Sequence, residues 1–169
     1  GLGWVQDIVP NHMAVDSGNR WLMDVLEHGE GSPYWNFFDV DWNHPYEDMR
    51  GVLLLPFLGR TFGECLEAGE LVLRHGENGF SIHYYGFGFP LALASYADIV
   101  GPAAELVRAA LGREHPDVIK LLGLLYILRT LPESESQQER PAQAAFVKRL
   151  LWELRRDSPA AAEALDRTV

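Results

Sequence analysis

Asp7-Ile8-Val9-Pro10-Asn11-His12 follows the apolar run Leu2-Gly3-Trp4-Val5-Gln6, and the two together read as a β-strand with polar side chains at its C-terminal end. The predicted strand runs from Leu2 to Val9, and Pro10 stops it because proline has no N–H to give to a ladder. Strands that end this way build the sites of α/β barrels, where side chains at strand C-termini project into a common mouth. Asp7 is a carboxylate inside an apolar strand, which is costly unless paired or hydrogen-bonded; a fixed partner is expected for it. Asn11 and His12 have two readings on the hexapeptide alone, a solvated turn or a pair that hydrogen-bonds a substrate. A strand this close to residue 1 leaves its backbone groups without neighbours. The chain is therefore expected to be a piece of a larger protein.

Composition narrows the partners. The chain has 169 residues, 47% hydrophobic and 22% charged, enough for one domain with a core. Its formal net charge of -10 argues against nucleic acid and against anionic membrane surfaces, both of which call for a Lys/Arg surplus. Neutral ligands remain, sugars foremost. The 5 Trp, 6 Tyr and 8 Phe supply faces that can stack on sugar rings, although most aromatics are expected in the core. The single cysteine, Cys65, excludes an internal disulfide and a thiolate metal centre. It lies in the helix-like segment Phe62-Gly63-Glu64-Cys65-Leu66 and is expected to be a buried, inert thiol. No signal peptide is evident, and the most apolar run, Val118 to Leu131, is shorter than the ~20 residues of a membrane span. A cytoplasmic protein is expected.

The chain changes character near Gly101. Before it the predicted elements are short: a helix over Asn19 to Glu27 with Asn19 as N-cap and Gly29 as stop, a loose connection from Ser32 to Pro56, and a helix over Phe62 to Ala68 closed by Gly69. A hairpin of Glu70 to Arg74 and Gly79 to Tyr84 follows, joined through His75-Gly76-Glu77-Asn78. Tyr85 to Ala97 reads as a Gly/Pro/aromatic loop. After Gly101, prolines mark helix starts, and helices are predicted over Pro102–Leu111, Pro116–Thr130, Pro141–Arg156 and Pro159–Asp166. The second is apolar nearly all round and is expected to be buried on several sides or against a second copy. Pro132 to Arg140 reads as a polar linker.

Several chemistries fail on spacing. Asp39-Val40-Asp41-Trp42-Asn43 opens like a calcium loop, but His44 stands where Gly is required and Arg50 where the bidentate Glu belongs. His12, His28, His44, His75, His83 and His115 contain no zincin pair. Gly86-Phe87-Gly88-Phe89-Pro90 lacks the spacing of a phosphate cradle. Ser17, Ser81 and Ser95 sit in no nucleophile elbow. No metal and no cofactor are expected.

Asp7 to His12 resembles the first conserved region of the α-amylase family of glycoside hydrolases, in which an Asp-x-x-x-Asn-His element ends the third barrel strand. Within that family, four further stretches are similar to the trehalose-forming branch, the maltooligosyl trehalose synthases. They are Trp21-Leu22-Met23-Asp24-Val25-Leu26-Glu27, Ser32-Pro33-Tyr34, Phe37-Phe38-Asp39-Val40-Asp41-Trp42, and Val52-Leu53-Leu54-Leu55-Pro56-Phe57-Leu58-Gly59. Tyr84-Tyr85 followed by Phe89-Pro90-Leu91 extends the series to about residue 98. One departure is Gly86 and Gly88, where the family pattern leads one to expect charged residues.

The resemblance implies a fold class of α+β, mostly helical, as a fragment of a (β/α)8-barrel enzyme. Residues 1–12 would be the end of barrel strand 3, 13–98 an inserted loop-rich subdomain, and 99–169 part of a helical subdomain. It implies an intramolecular transglucosylase that turns the reducing-end α-1,4 bond of a maltooligosaccharide into an α,α-1,1 bond by a retaining, two-carboxylate mechanism. It assigns substrate binding to His12 and Asn11 and support of the strand end to Asp7. The family's catalytic carboxylates lie on later barrel strands, in motifs such as Arg-x-Asp, and no such strand-end element follows Gly101. The chain by itself is expected to be inactive, with maltooligosaccharide the partner of the full-length protein and self-association expected through exposed apolar surface. Another hydrolase or branching enzyme of the family, or a non-catalytic oligosaccharide-binding module, are the alternatives.

Overall fold

A computed structural model describes residues 3–5, 14–130 and 140–169. Gly3, Trp4 and Val5 have no regular structure, and both large side chains are exposed. This corrects the predicted strand at those three positions; the rest of Leu2 to Val9 lies outside the described residues, as do Asp7, Asn11, His12 and the polar segment 131–139.

The first helix, α1 (Arg20–His28), forms as predicted. Asn19 Oδ1 accepts the Leu22 N–H at 3.2 Å, and Gly29, at φ 55°, donates its N–H to the Val25 carbonyl and stops the helix. Leu22 and Val25, three residues apart, form its buried stripe. From Gly29 to Pro56 the chain is held by short 3-10 turns at Gly29–Gly31, Trp35–Phe37 and Glu47–Met49. Helix α2 (Phe62–Glu67) starts with a capping box. Glu64 Oε2 accepts the Thr61 N–H at 3.0 Å and the Thr61 hydroxyl at 2.7 Å, which lowers the Glu64 carboxyl below its ordinary value. Cys65 in this helix is a fully buried free thiol, as expected.

Three strands, β1 (Leu71–Gly76), β2 (Gly79–Tyr84) and β3 (Phe87–Pro90), make an antiparallel sheet in sequence order. The first hairpin is tighter than predicted, since Gly76 pairs with Gly79 and leaves only Glu77 and Asn78 in the turn. β3 is a correction: the stretch read as an irregular loop pairs Tyr84 with Phe87 and Ser81 with Pro90. Gly86 before it, Gly88 within it and its closing proline hid it, yet the alternation of Phe87 and Phe89 places both rings on the face that carries Phe80, Ile82 and Tyr84. Pro90 is tolerated because β3 is an edge strand.

The remaining helices are α3 (Tyr96–Leu111), α4 (Pro116–Thr130), α5 (Arg140–Asp157) and α6 (Pro159–Thr168). The starts of α4 and α6 follow the proline rule; that of α3 does not. α3 begins at Tyr96 and carries Pro102 in its interior, at an exposed position. The helix survives the lost hydrogen bond because Tyr96, Ile99, Val100, Ala103, Ala104 and Val107 make one continuous buried stripe. α3 is the central helix, packed on α4 and α6, while α5 packs on α6 and β2. α4 corrects the expectation of burial on several sides within the chain. Val118, Leu121, Leu124, Leu125 and Leu128 are buried, but Ile119, Leu122 and Tyr126 are exposed, Tyr126 to 70%. It is thus buried along one face only. No helix among the described residues is long and apolar enough to cross a membrane.

The sheet joins this helical core through Phe80. Its ring meets Tyr96 edge-on at 4.8 Å, and its buried N–H donates to the Tyr96 hydroxyl at 2.9 Å. Burial pushes the Tyr96 hydroxyl up to about 12. On the neighbouring strand the His75 ring stacks on Phe80 at 4.4 Å and meets Trp152 of α5 edge-on at 5.9 Å. Both His75 nitrogens are buried without a partner among the described residues. Burial and the nearby Arg155 charge push the imidazole down to about 4, against the pull of Asp166. The ring is therefore neutral in the folded protein at neutral pH. The unfolded chain binds a proton more readily between about pH 4 and 6.5, so stability rises with pH through that window and is lost as pH falls through it. The expected loss is on the order of 2 kcal/mol after discounting for solvent screening of a partly exposed ring. Urea titrations from pH 4.5 to 7 should show this slope in the native chain and a clearly shallower one in His75→Leu. Equal slopes would refute the assignment.

Candidate functional site

The residues singled out for substrate contact, His12 and Asn11, and their support Asp7, lie outside the described residues. The described residues form a cleft of about 810 Å³ that the sequence reading did not anticipate. That size falls within the roughly 300–1,000 Å³ of small-molecule sites.

Five parts of the chain converge on it. The C-terminal end of α1 contributes Glu27 and His28, and the following segment contributes Trp35, Trp42, Gly51 and Leu53. Ala92, Leu93, Ala94 and Ala97 line it around the start of α3. Leu128 and Arg129 come from the last turn of α4, and Gln143 and Ala144 from the first turns of α5. The local folding that brings the two tryptophans together is legible step by step. Gly29 ends α1, and Ser32, itself buried, accepts the Tyr34 N–H at 3.1 Å on its hydroxyl. The 3-10 turn at Trp35 then aims the indole back across the loop. Trp35 and Trp42 stack with ring centres 3.6 Å apart and planes within 14°. The Gly51 N–H donates to the Trp42 carbonyl at 3.0 Å and closes the loop behind them. A second aromatic group, Trp21, Tyr34 and Phe37, with centroids 5.3–5.8 Å apart, braces the same segment.

The electrostatics are balanced. Glu27, the one carboxylate among the described residues lining the cleft, is ion-paired with Lys148 of α5 and lies 3.8 Å from His28 Nε2. Glycosidic cleavage calls for two carboxyl groups flanking the bond, so these lining residues are equipped to bind rather than to cleave. Elsewhere, Ser81 Oγ and His83 Nε2 are 3.0 Å apart on the outer face of the sheet. Burial and Arg74 lower the His83 imidazole, but among the described residues no carboxylate bonds to the ring to supply the orienting acid of a triad. Arg155-Arg156-Asp157 matches the Arg-x-Asp tripeptide literally. It forms the end of α5 instead of a strand end, and Asp157 is bonded to Arg156 at 2.8 Å, which lowers its carboxyl.

No family model and no solved structure matches the chain. Two curated proteins of Mycobacterium tuberculosis do, one from strain CDC 1551 / Oshkosh and one from strain ATCC 25618 / H37Rv, each named "Putative maltooligosyl trehalose synthase". Each is 40% identical over 83 residues, which is 43% of this chain and 10% of the relative. The chain thus corresponds to about a tenth of the length of the curated relatives it matches. The resemblance drawn from the ordered motifs and the match found by comparison agree.

Proposed function

We propose that this chain is part of a trehalose-forming intramolecular transglucosylase, which converts the reducing-end α-1,4 bond of a maltooligosaccharide into an α,α-1,1 bond. The observation that carries this reading is the 40% identity to the two mycobacterial proteins over 83 residues. The motif series from Asp7 to Leu91 supports it from the sequence side. In this reading residues 1–12 end barrel strand 3, 13–98 form the inserted subdomain, and 99–169 belong to a helical subdomain. His12 and Asn11 hydrogen-bond the sugar beside the scissile bond, and Asp7 props the strand end. The two carboxyl groups of the retaining mechanism come from other parts of the longer protein, so the 169-residue chain alone is inactive.

The experiment is a product analysis. Maltopentaose is incubated with the longer protein and, separately, with this chain. The longer protein is expected to convert it to a non-reducing, trehalose-ended isomer without net hydrolysis, and the chain alone to leave it unchanged. New reducing ends or branches from the longer protein would point to another glycoside hydrolase activity and overturn the reading. Turnover by the isolated chain would overturn its inactivity.

A further inference from the structure

Helix α4 is apolar on more sides than its own chain covers. Val118, Leu121, Leu124, Leu125 and Leu128 are buried against the core, yet Ile119, Leu122 and Tyr126 are 59, 41 and 70% exposed. Spaced by three and then four residues, these three form one stripe on the side away from the core. Gly123 belongs to the same exposed stripe, between Leu122 and Tyr126. A glycine inside a helix weakens it relative to alanine, and nothing within the described residues calls for one here. A Cβ at Gly123 would meet no atom within 4 Å. A missing side chain at such a position is what the close approach of another backbone requires. No charge stands on the stripe, since Lys120 lies about 100° round the helix from Ile119.

We propose that this stripe is the contact by which two copies of the chain pair. It is self-complementary. With the two α4 helices antiparallel and a two-fold axis at the Leu122–Gly123 peptide, Ile119 opposes the second copy's Tyr126, while Leu122 and Gly123 each oppose their own counterparts. Apolar side chains then meet on one flank of the axis, and the two glycines let the backbones close together on the other. The same arrangement sets the Asp117 end of each helix level with the Arg129 end of the other, so opposite charges and opposite dipole ends are neighbours. A parallel pairing would set like ends side by side. The three large side chains cover less than the ~800 Å² per partner of a standard interface, so the dimer is weak, with a Kd on the order of 100 μM. The pairing is independent of the enzymatic reading.

The test is sedimentation equilibrium of the 169-residue chain from about 10 μM to about 1 mM. A reversible monomer–dimer equilibrium is expected. It should weaken about tenfold or more in Tyr126→Lys and in Leu122→Lys, which sets two like charges across the axis, and stay within about twofold in Lys120→Gln. All three positions are exposed, so circular dichroism should be unchanged. Gly123→Cys maps the register, because Cys65 is fully buried and does not compete. With oxidised glutathione this variant should cross-link to a covalent dimer, and Lys120→Cys should not. A chain that stays monomeric to about 1 mM, a dimer indifferent to Leu122→Lys and Tyr126→Lys, or equal cross-linking at both positions overturns the proposal. So does a monomeric longer protein in which the thiol of Gly123→Cys resists alkylation, since the stripe is then covered by another part of the same molecule.

Discussion

Gly79→Ala is expected to destabilise the fold by roughly 3–5 kcal/mol, a large part of the 5–15 kcal/mol available to a domain of this size. Two independent costs add. Gly79 begins β2 at φ 96°, a backbone conformation that a residue with a Cβ adopts only under strain. A Cβ built there would also lie 2.1 Å from the Tyr96 hydroxyl oxygen and 3.0 Å from Lys148 Cε. The lysine can swing away, whereas Tyr96 is fully buried and bonded to the next residue's N–H. Tyr96→Phe should cost only about 1–2 kcal/mol by itself, through the acceptor it takes from Phe80. Combined with Gly79→Ala it should cost clearly less than the sum, since the atom in conflict is gone. Urea unfolding of the four proteins in a double-mutant cycle reads the coupling directly. A Gly79→Ala midpoint equal to the native one, or strict additivity, would contradict the close approach described here.

His12→Ala in the longer protein should lower kcat/KM for maltooligosaccharide by roughly 100- to 1,000-fold, the scale of removing one hydrogen-bond donor that acts on the transition state. On the proposed reading the histidine contacts the sugar beside the scissile bond, where a loss of positioning is felt in the chemical step more than in ground-state binding. kcat should therefore fall with little rise in KM. Thermal unfolding of the variant should match the native enzyme, which separates a lost substrate contact from a broken fold. Native-like kinetics in a folded His12→Ala protein would remove His12 from the site.

Much of the fold was legible because its signals are local. Asn19 and Gly29 around α1, the Thr61/Glu64 capping box, and the prolines that open α4 and α6 act within one helical turn of themselves. What escaped was decided at a distance. Pro102 reads as a start, yet the stripe from Tyr96 to Val107 meets α4 and α6 and carries the helix through it. β3 looks like a loop until Phe87 and Phe89 are set beside Tyr84 and Ile82. α4 has no apolar side preference that the sequence reveals; only its neighbours select Leu121 over Leu122. The cleft was invisible for the same reason. Trp42 was read as part of a motif and Trp35 was not singled out, and nothing in the order of residues brings Arg129 or Gln143 to them. By contrast the expectation for His12, Asn11 and Asp7 rests on a short motif alone, and all three lie outside the described residues.

The bond from the Phe80 N–H to the Tyr96 hydroxyl divides the molecule into two depths of stability. Phe80 is the earliest residue of the continuous core, and from Pro33 to Glu64 no residue is buried. Amide hydrogens of the segment before α2 can therefore exchange with solvent through cheap local openings, while that of Phe80 exchanges only when sheet and helices part together. A protease would meet the same order. Among the described residues, the segment carrying the stacked tryptophans would be cut before the sheet and the helices it packs on.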